Sequence, residues 1–341
     1  LVKQANFLWV QPEVTELPPA FKEILQTNNI PEQIGRLLWQ RKIRSAEALA
    51  AFLRPDLDRL HDPFLLYDMD KAVARIHEAI INEEQILIYG DYDADGITSA
   101  TVLKETLELR GAEASTYLQN RFTDGYGPNL EVYKEKIASG IQLIVTVDNG
   151  VSGHEAIAYA QQQGVDVIVT DHHELPDTLP NAYAIIHPRH PQGQYPFGDL
   201  AGVGVAFKTA CALLEEVPLE LLDLVAIGTI ADMVSLTDEN RILVSNGLKM
   251  IQQSDRIGLN ELLASSGVNK QQVTETDIGF YVGPRVNAIG RLKDPNPAGT
   301  LMTTFDQEEE RQLAHELDVI NQQRKSFVEE IMKEAKQTIV P

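Results

Sequence analysis

From residue 85 onward, short apolar runs alternate with longer stretches in which apolar residues recur every three or four positions. "QILIYG", "ASTYLQN", "QLIVTVDNG", "VDVIVTDHH" and "NAYAIIHP" read as strands. Between them "ITSATVLKETLELRG", "NLEVYKEKIASG" and "GHEAIAYAQQQG" read as helices, each closed by a glycine. Runs such as Leu143-Ile144-Val145 and Val167-Ile168-Val169 are apolar on both faces, as strands are when helices cover each side of a sheet. The pattern predicts an α/β fold with a doubly wound, mainly parallel sheet.

The flanks differ. "IPEQIGRLLWQRKI" spaces Ile30, Ile34, Leu37, Leu38 and Ile43 like a helix face, and "SAEALAAFLRP" offers Ser45 as N-cap and Pro55 as stop. "HDPFLLYDMDKAVARIHEAI" adds a turn, a candidate cap at Asp68 and a helix with Ala72, Val73, Ile76 and Ile80 on one side. Residues 306–337 form a long charged amphipathic stretch with Leu313, Leu317, Ile320, Phe327 and Ile331 on one stripe, a composition suited to bridging domains. The expected organisation is a mostly helical segment over 1–70, a catalytic domain over 71–305 and a long connecting helix over 306–341.

Composition changes this picture little. The chain has 341 residues, 43% hydrophobic and 23% charged, as in ordinary soluble proteins. No apolar run reaches the length of a membrane span; "LLDLVAIGTIADMV", for one, is broken by Asp223 and Asp232. A single cysteine, Cys211, excludes an internal disulfide and fits a reducing cytoplasm. The chain starts at Leu1 with neither an initiator Met nor a signal-peptide pattern, which suggests a trimmed or partial chain. Net charge is −21, from 50 acidic and 29 basic residues, and argues against broad phosphate-backbone binding. A metal-neutralised carboxylate cluster or a narrow basic channel would escape that objection.

Candidate chemistry begins with "YGDYDADG", residues 89–96, where Asp91, Asp93 and Asp95 fall at alternate positions. Three such carboxylates repel one another unless a cation lies among them. A calcium-binding EF-hand loop is one reading, but a strand rather than a helix precedes it, and Val102 stands where a bidentate Glu is needed. A phosphatase with Asp93 as nucleophile is a second, which leaves His172 and His173 without a role. The third is a metal site assembled from distant segments. Asp93 and Asp95 follow "ILIYG", Asp148 ends "LIVTV", and Asp171, His172 and His173 end "VIVT". These are the carboxyl ends of expected parallel strands, where open α/β sheets bind ligands. Asp232, in "GTIADMVSL", is the next acidic candidate, with a buried helix cap as its bland alternative. Carboxylates mixed with imidazoles suit manganese or magnesium. Two such ions, roughly 4 Å apart, can activate water and steady both oxygens of a phosphoester displacement. Asp148 is the candidate for the bridging carboxylate.

Together these segments resemble the DHH phosphoesterase superfamily. "YGDYDADGITSA", "VTVDNG", "VTDHHE" and "GTIADMV" match its four motifs in order. "NRFTDGYG" (120–127), "YPFGDLAGVGVAFK" (195–208) and "GPRVNAIGRL" (283–292) resemble stretches of its single-strand-specific DNA exonuclease branch. The resemblance runs from about residue 30 to the end of the chain. It implies two Mn²⁺ or Mg²⁺ ions held by Asp93, Asp95, Asp148, His172 and Asp232, with Asp91 a further possible ligand because Tyr89 replaces a histidine used by DHH pyrophosphatases. It also implies that His173 acts beside the scissile phosphate and that Asp171 orients its neighbours. Arg285, Asn287, Arg291, Arg121, Gly202 and Gly204 are the implied substrate contacts, with Tyr126, His187, Arg189 and His190 lining the strand path. The implied activity is 5′ to 3′ hydrolysis of single-stranded DNA to mononucleotides in recombination and repair, in the cytoplasm. Single-strand-binding protein and a repair helicase are the implied partners. The alternatives are a small-nucleotide or cyclic-dinucleotide phosphodiesterase and a non-catalytic scaffold. A DHHA1 domain and an OB-fold, usual in that branch, are expected to be absent from this chain.

Overall fold

The computed structural model describes residues 16–303 and 307–339. The first fifteen residues of the expected helical segment, and Asp306 and Pro341 at the ends of the expected connecting helix, lie outside them. The chain divides into two compact units at Asp56/Leu57.

In the first unit, helices α1 (Pro19–Thr27), α2 (Glu32–Gln40) and α3 (Ala46–Leu53) enclose a small core of Phe21, Leu25, Leu38 and Leu49. Ser45 caps α3 by accepting from the Ala48 N–H at 3.0 Å, as its position predicts. The α2 face is narrower than the spacing suggests, since Leu38 is buried while Ile34 and Leu37 stay half exposed.

The second unit opens with α4 (Met69–Ile81) and then alternates β1 (Ile86–Gly90), α5 (Ala94–Leu109), β2 (Ala114–Leu118), α6 (Leu130–Ala138), β3 (Leu143–Val147), α7 (His154–Gln162), β4 (Asp166–Thr170) and β5 (Ala184–Ile186). All strand pairs are parallel, in the order β2-β1-β3-β4-β5. Successive residues of a strand point to opposite faces. Ile86 and Ile88 of β1 join the larger core with α4 and α5, whereas Leu87 and Tyr89 join a second core with α6 and α7. This two-sided burial is the doubly wound α/β fold expected from the sequence. Gly111, Gly140 and Gly164, which follow α5, α6 and α7, all have positive φ and end those helices as expected.

Asp68 does not cap α4 with its side chain; Oδ2 instead accepts from the Ile185 N–H at 3.0 Å and ties β5 to that helix start. A helical layer completes the unit: α8 (Gly202–Leu214), α9 (Leu222–Ala231), α10 (Asp238–Gln253), α11 (Ile257–Ser265), the short α12 (Glu275–Asp277), a π-helical turn (Ile278–Val282), α13 (Gly283–Leu292), α14 (Asn296–Thr303) and α15 (Gln307–Ile339). Ala314, Leu317 and Ile320 of α15 are buried, while Phe327 and Ile331 further along are exposed, so only the first half of the expected stripe is used for packing.

One buried ion pair anchors this layer. Lys208 of α8 donates to Glu239 of α10 at 2.9 Å, with the two side chains 1% and 0% exposed. Lys208 also donates to the His61 carbonyl, and Tyr195 donates to the other Glu239 oxygen. Lys208→Met leaves Glu239 charged and uncompensated in the core. The expected cost is about 3–5 kcal/mol, a melting-temperature loss of roughly 10 °C, measurable by thermal denaturation. Adding Glu239→Gln to that variant is expected to restore part of the loss.

Candidate metal centre

Strand β1 turns one way to β2 and the other way to β3, so the order reverses between β1 and β3. Open sheets leave a crevice at that point, beyond the strand ends. The residues that follow β1, β3 and β4 are Asp91, Asp148 and Asp171. After β1 the chain doubles back into α5, where Asp93 takes the N-cap and accepts from the Asp95 and Gly96 N–H groups at 2.9 and 3.1 Å. Asp95 then lies in the first turn of α5, fixed by the Gly202 and Val203 N–H groups at the start of α8 (2.7 and 2.8 Å). Asp148 has a left-handed backbone (φ 58°) in its turn, and Asp232 is delivered by the C-terminal end of α9.

These side chains form three overlapping groups whose potential ligand atoms lie within 4.8 Å of one another: Asp91, Asp93 and Asp148; Asp148, His172 and His173; Asp95, His172 and Asp232. His172 Nε2 is 3.1 Å from Asp148 Oδ1, 3.6 Å from Asp95 Oδ2 and 3.7 Å from Asp232 Oδ2. Although buried, Asp148 Oδ1 and His172 Nε2 have no hydrogen-bond partner. Burial raises the carboxyls first and their mutual repulsion adds to it, taking Asp91 to about 6 and Asp232 to about 7, both next to Asp93. Asp95 and Asp148 are pushed well above the usual carboxylate range for the same two reasons. Burial holds His172 down at about 4, so its imidazole is neutral and ligand-competent. Crowded like charges only partly offset by His173, beside orphaned buried ligand atoms, mark a site built for divalent cations.

Asp171 faces the backbone of its own loop and of the loop after β3. Oδ1 accepts from the N–H groups of His172 and His173 and from His173 Nδ1 at 2.7, 3.0 and 2.8 Å, and Oδ2 from Val151 N–H at 3.0 Å. These bonds hold the Asp171 carboxyl below its usual range despite its burial. Burial is the largest single influence and lowers His173, but the Asp171 hydrogen bond together with the attraction of Asp171, Asp91 and Asp95 outweighs it and takes His173 to about 9. The other ring nitrogen of His173 is left free, on a side chain 36% exposed.

Several of the expected strand contacts are engaged with partners inside the protein. His187 is buried behind the loop; its Nδ1 accepts from the Arg189 N–H (2.9 Å), so Nε2 carries the proton and donates to the His173 carbonyl at 2.8 Å. His190 stacks on Tyr67 at 4.1 Å, and Arg189 is paired with Asp199 at 2.5 Å. Arg285 is 6% exposed and spends its guanidinium on Asp318 and the Tyr281 carbonyl, so it is a packing residue and not a free phosphate clamp. Asn287 Oδ1 accepts from the Ala94 N–H at 2.7 Å and braces the loop of Asp93. Gly204 packs against Leu200, with room for little more. Tyr126, exposed, sets its ring edge-on to His173 at 5.7 Å, and Arg121 lies over the Tyr92 ring at 5.6 Å. Arg291, exposed on α13, lines a cleft next to Asp232.

Gly202 serves the acids rather than a ligand's backbone. A Cβ there would lie 2.5 Å from Asp148 Oδ1. Gly202→Ala must displace Asp148 and is expected to weaken Mn²⁺ binding about 10- to 100-fold, the range for groups that orient ligands, as read by calorimetric titration. Sequence reasoning missed Gln119, which donates to Asp91, and two glycines that permit close approach. A Cβ on Gly228 would meet Thr98 Oγ1 at 2.3 Å and Asp95 Oδ1 at 2.9 Å; one on Gly290 would meet the Tyr92 carbonyl at 2.2 Å. Their only sequence signal is a glycine inside a helical stretch.

Comparison with known proteins agrees with this geometry. Residues 85–229 match the family model described as "DHH family, N-terminal domain". The single-stranded-DNA-specific exonuclease RecJ of Bacillus subtilis (strain 168) is 43% identical over 314 residues, covering 92% of this chain and 40% of that protein. The crystal structure of RecJ from Thermus thermophilus in complex with Mn²⁺ superposes with a TM-score of 0.83 at 30% identity, over 96% of this chain and 48% of that one. A crystal structure of exonuclease RecJ bound to manganese gives a TM-score of 0.73 at 34% identity, over 79% of this chain and 69% of that one. The chain thus spans about half the length of the full-length relatives it matches. At 43% identity over 92% of its length to one RecJ, and 34% identity over 69% of another, the chain belongs to the RecJ family of DHH proteins.

Proposed function

We propose that the chain forms the catalytic part of a divalent-metal-dependent exonuclease that hydrolyses single-stranded DNA from its 5′ end and releases mononucleotides in recombination and repair. The observation that carries this reading is the overlap of ligand groups: Asp148 belongs to two of them and His172 to two, so adjacent cation positions share side chains. Relatives named as single-stranded-DNA-specific exonucleases, and solved RecJ structures holding Mn²⁺ or Mg²⁺, supply the substrate and the metal of the proposal.

Asp93, Asp95, Asp148, His172 and Asp232 would hold the two ions, with Asp91 completing the set. When bound, the cations supply Lewis acidity toward the phosphodiester oxygens and activation of water. Asp171 holds the backbone of both histidines and the ring of His173 through three accepted hydrogen bonds, and is itself anchored by a fourth from the Val151 N–H. With Nδ1 tied to Asp171, His173 offers Nε2–H to a phosphate oxygen or to the departing 3′ oxygen. Tyr126 and Arg121 stand where an entering strand could be held. No helix among the described residues is long and apolar enough to cross a membrane, and a cytoplasmic location, with single-strand-binding protein and a repair helicase as partners, belongs to the same proposal.

The test uses an oligonucleotide labelled at either end, incubated with Mn²⁺ and the chain. Labelled mononucleotide released first from the 5′ end is the expected result. Cleavage of dinucleotides with no action on longer strands would favour the small-nucleotide reading, and metal binding with no cleavage of either would favour a scaffold.

A further inference from the structure

A cleft of about 430 Å³ opens beside Asp232, bounded by the end of α9, the π-helical turn and α13, with Arg324 of α15 on its rim. Three independent features meet there. Met233, directly after Asp232, has a left-handed backbone (φ 64°) and is 88% exposed; an unbranched apolar residue is rarely held out in this way. Phe280, 75% exposed, sits on the π-helical turn, a form concentrated at functional sites. Two guanidiniums, Arg291 and Arg324, line the cleft and make no salt bridge among the described residues, whereas nearby Arg285 is paired with Asp318. Arg324 is steadied by Asn321 at 3.1 Å. Glu275 is the one carboxylate lining it among the described residues. The cleft is also joined to the metal loop, because Asn287 lines it and accepts from the Ala94 N–H next to Asp93.

An apolar, aromatic wall facing two unpaired cations suits a ligand with a flat ring and a phosphate. We propose that this cleft receives the nucleotide adjoining the scissile phosphate, its base against Phe280 and Met233 and its phosphate against Arg291 and Arg324. The assignment rests on the exonuclease reading and specifies where the strand lies on this chain. Every base has a π-face, so such a site tolerates any sequence, as an exonuclease requires.

The test measures equilibrium binding of fluorescein-labelled dT12 by anisotropy in EDTA, where no cleavage occurs. Phe280→Ala is expected to weaken binding roughly 10-fold. Arg324→Gln is expected to weaken it and to reduce the slope of log affinity against log salt by about 0.7, the loss of one phosphate contact. Phe280 is exposed and Arg324 half-buried, so unchanged melting curves are the control for folding. In parallel, 5-iodouracil placed at each of the first four positions of the strand is expected to crosslink to the Met233 or Phe280 peptide from one position. Parent-like binding by both variants, with crosslinks elsewhere, would overturn this assignment alone, and is also what a protein segment occupying the cleft would give. Failure of the parent chain to bind dT12 would also overturn this assignment, while the end-labelled cleavage assay in Mn²⁺ decides the exonuclease reading separately.

Discussion

Asp148→Asn is expected to lower hydrolysis of a single-stranded oligonucleotide in Mn²⁺ by at least about 10³-fold. The carboxylate lies in two of the three ligand groups, 3.1 Å from His172 and beside Asp91 and Asp93. Its amide keeps the volume and one oxygen but loses the charge, so both cation positions weaken together. Transition-state stabilisation by metal ions is worth several kcal/mol, and each 1.4 kcal/mol is about tenfold in rate. His173→Ala, which leaves every proposed ligand in place, is expected to cost less, about 10²-fold, as for a positioned acid. Steady-state rates on end-labelled oligonucleotide check both. A variant at Asp148 within tenfold of the parent would mean that the two ligand groups do not share this side chain in catalysis.

The second large effect runs against intuition: in EDTA at pH 8, Asp148→Asn is expected to be more stable than the parent. Asp91, Asp93, Asp95, Asp148 and Asp232 crowd one crevice, and burial with mutual repulsion raises four of them: Asp91, Asp95, Asp148 and Asp232. Neutralising the central carboxylate removes a cost of about 1–3 kcal/mol, a gain of roughly 5 °C in a chain of this size. Mn²⁺ at a hundred times its dissociation constant stabilises the parent by about 2.7 kcal/mol for each ion bound, while the variant, with its ligand set broken, gains far less. The order of the two melting temperatures should therefore invert on adding Mn²⁺. A variant less stable than the parent in EDTA would mean that Asp148 is a structural group whose charge the protein itself compensates.

The strands and the helices between them are legible in the sequence because both faces of the sheet are covered. Leu143-Ile144-Val145 and Val167-Ile168-Val169 have to be apolar throughout, since their side chains divide between two cores. Convergence of the acids on one crevice is legible for a related reason: Asp91, Asp148 and Asp171 each directly follow a strand, and parallel strands end at one edge. The less legible residues depend on partners far away in sequence. Apolar neighbours around Arg285 suggest a poised phosphate clamp, but the same neighbours bury it, and its countercharge, Asp318, comes from α15. Asp68 has the spacing of a cap, yet its oxygen goes to β5. Gly202 offers two explanations, and only the distance to Asp148 selects among them. His187 follows a strand, which puts it on the expected strand path, while its two ring nitrogens are consumed by backbone groups of Arg189 and His173.

Anomalous diffraction from crystals of the chain soaked in Mn²⁺ tests the central claim most directly. Two manganese peaks are expected, one among Asp91, Asp93 and Asp148 and the other among Asp95, His172 and Asp232, with Asp148 within reach of both. A single peak, or peaks away from these side chains, would contradict a shared two-ion centre and the hydrolytic reading built on it.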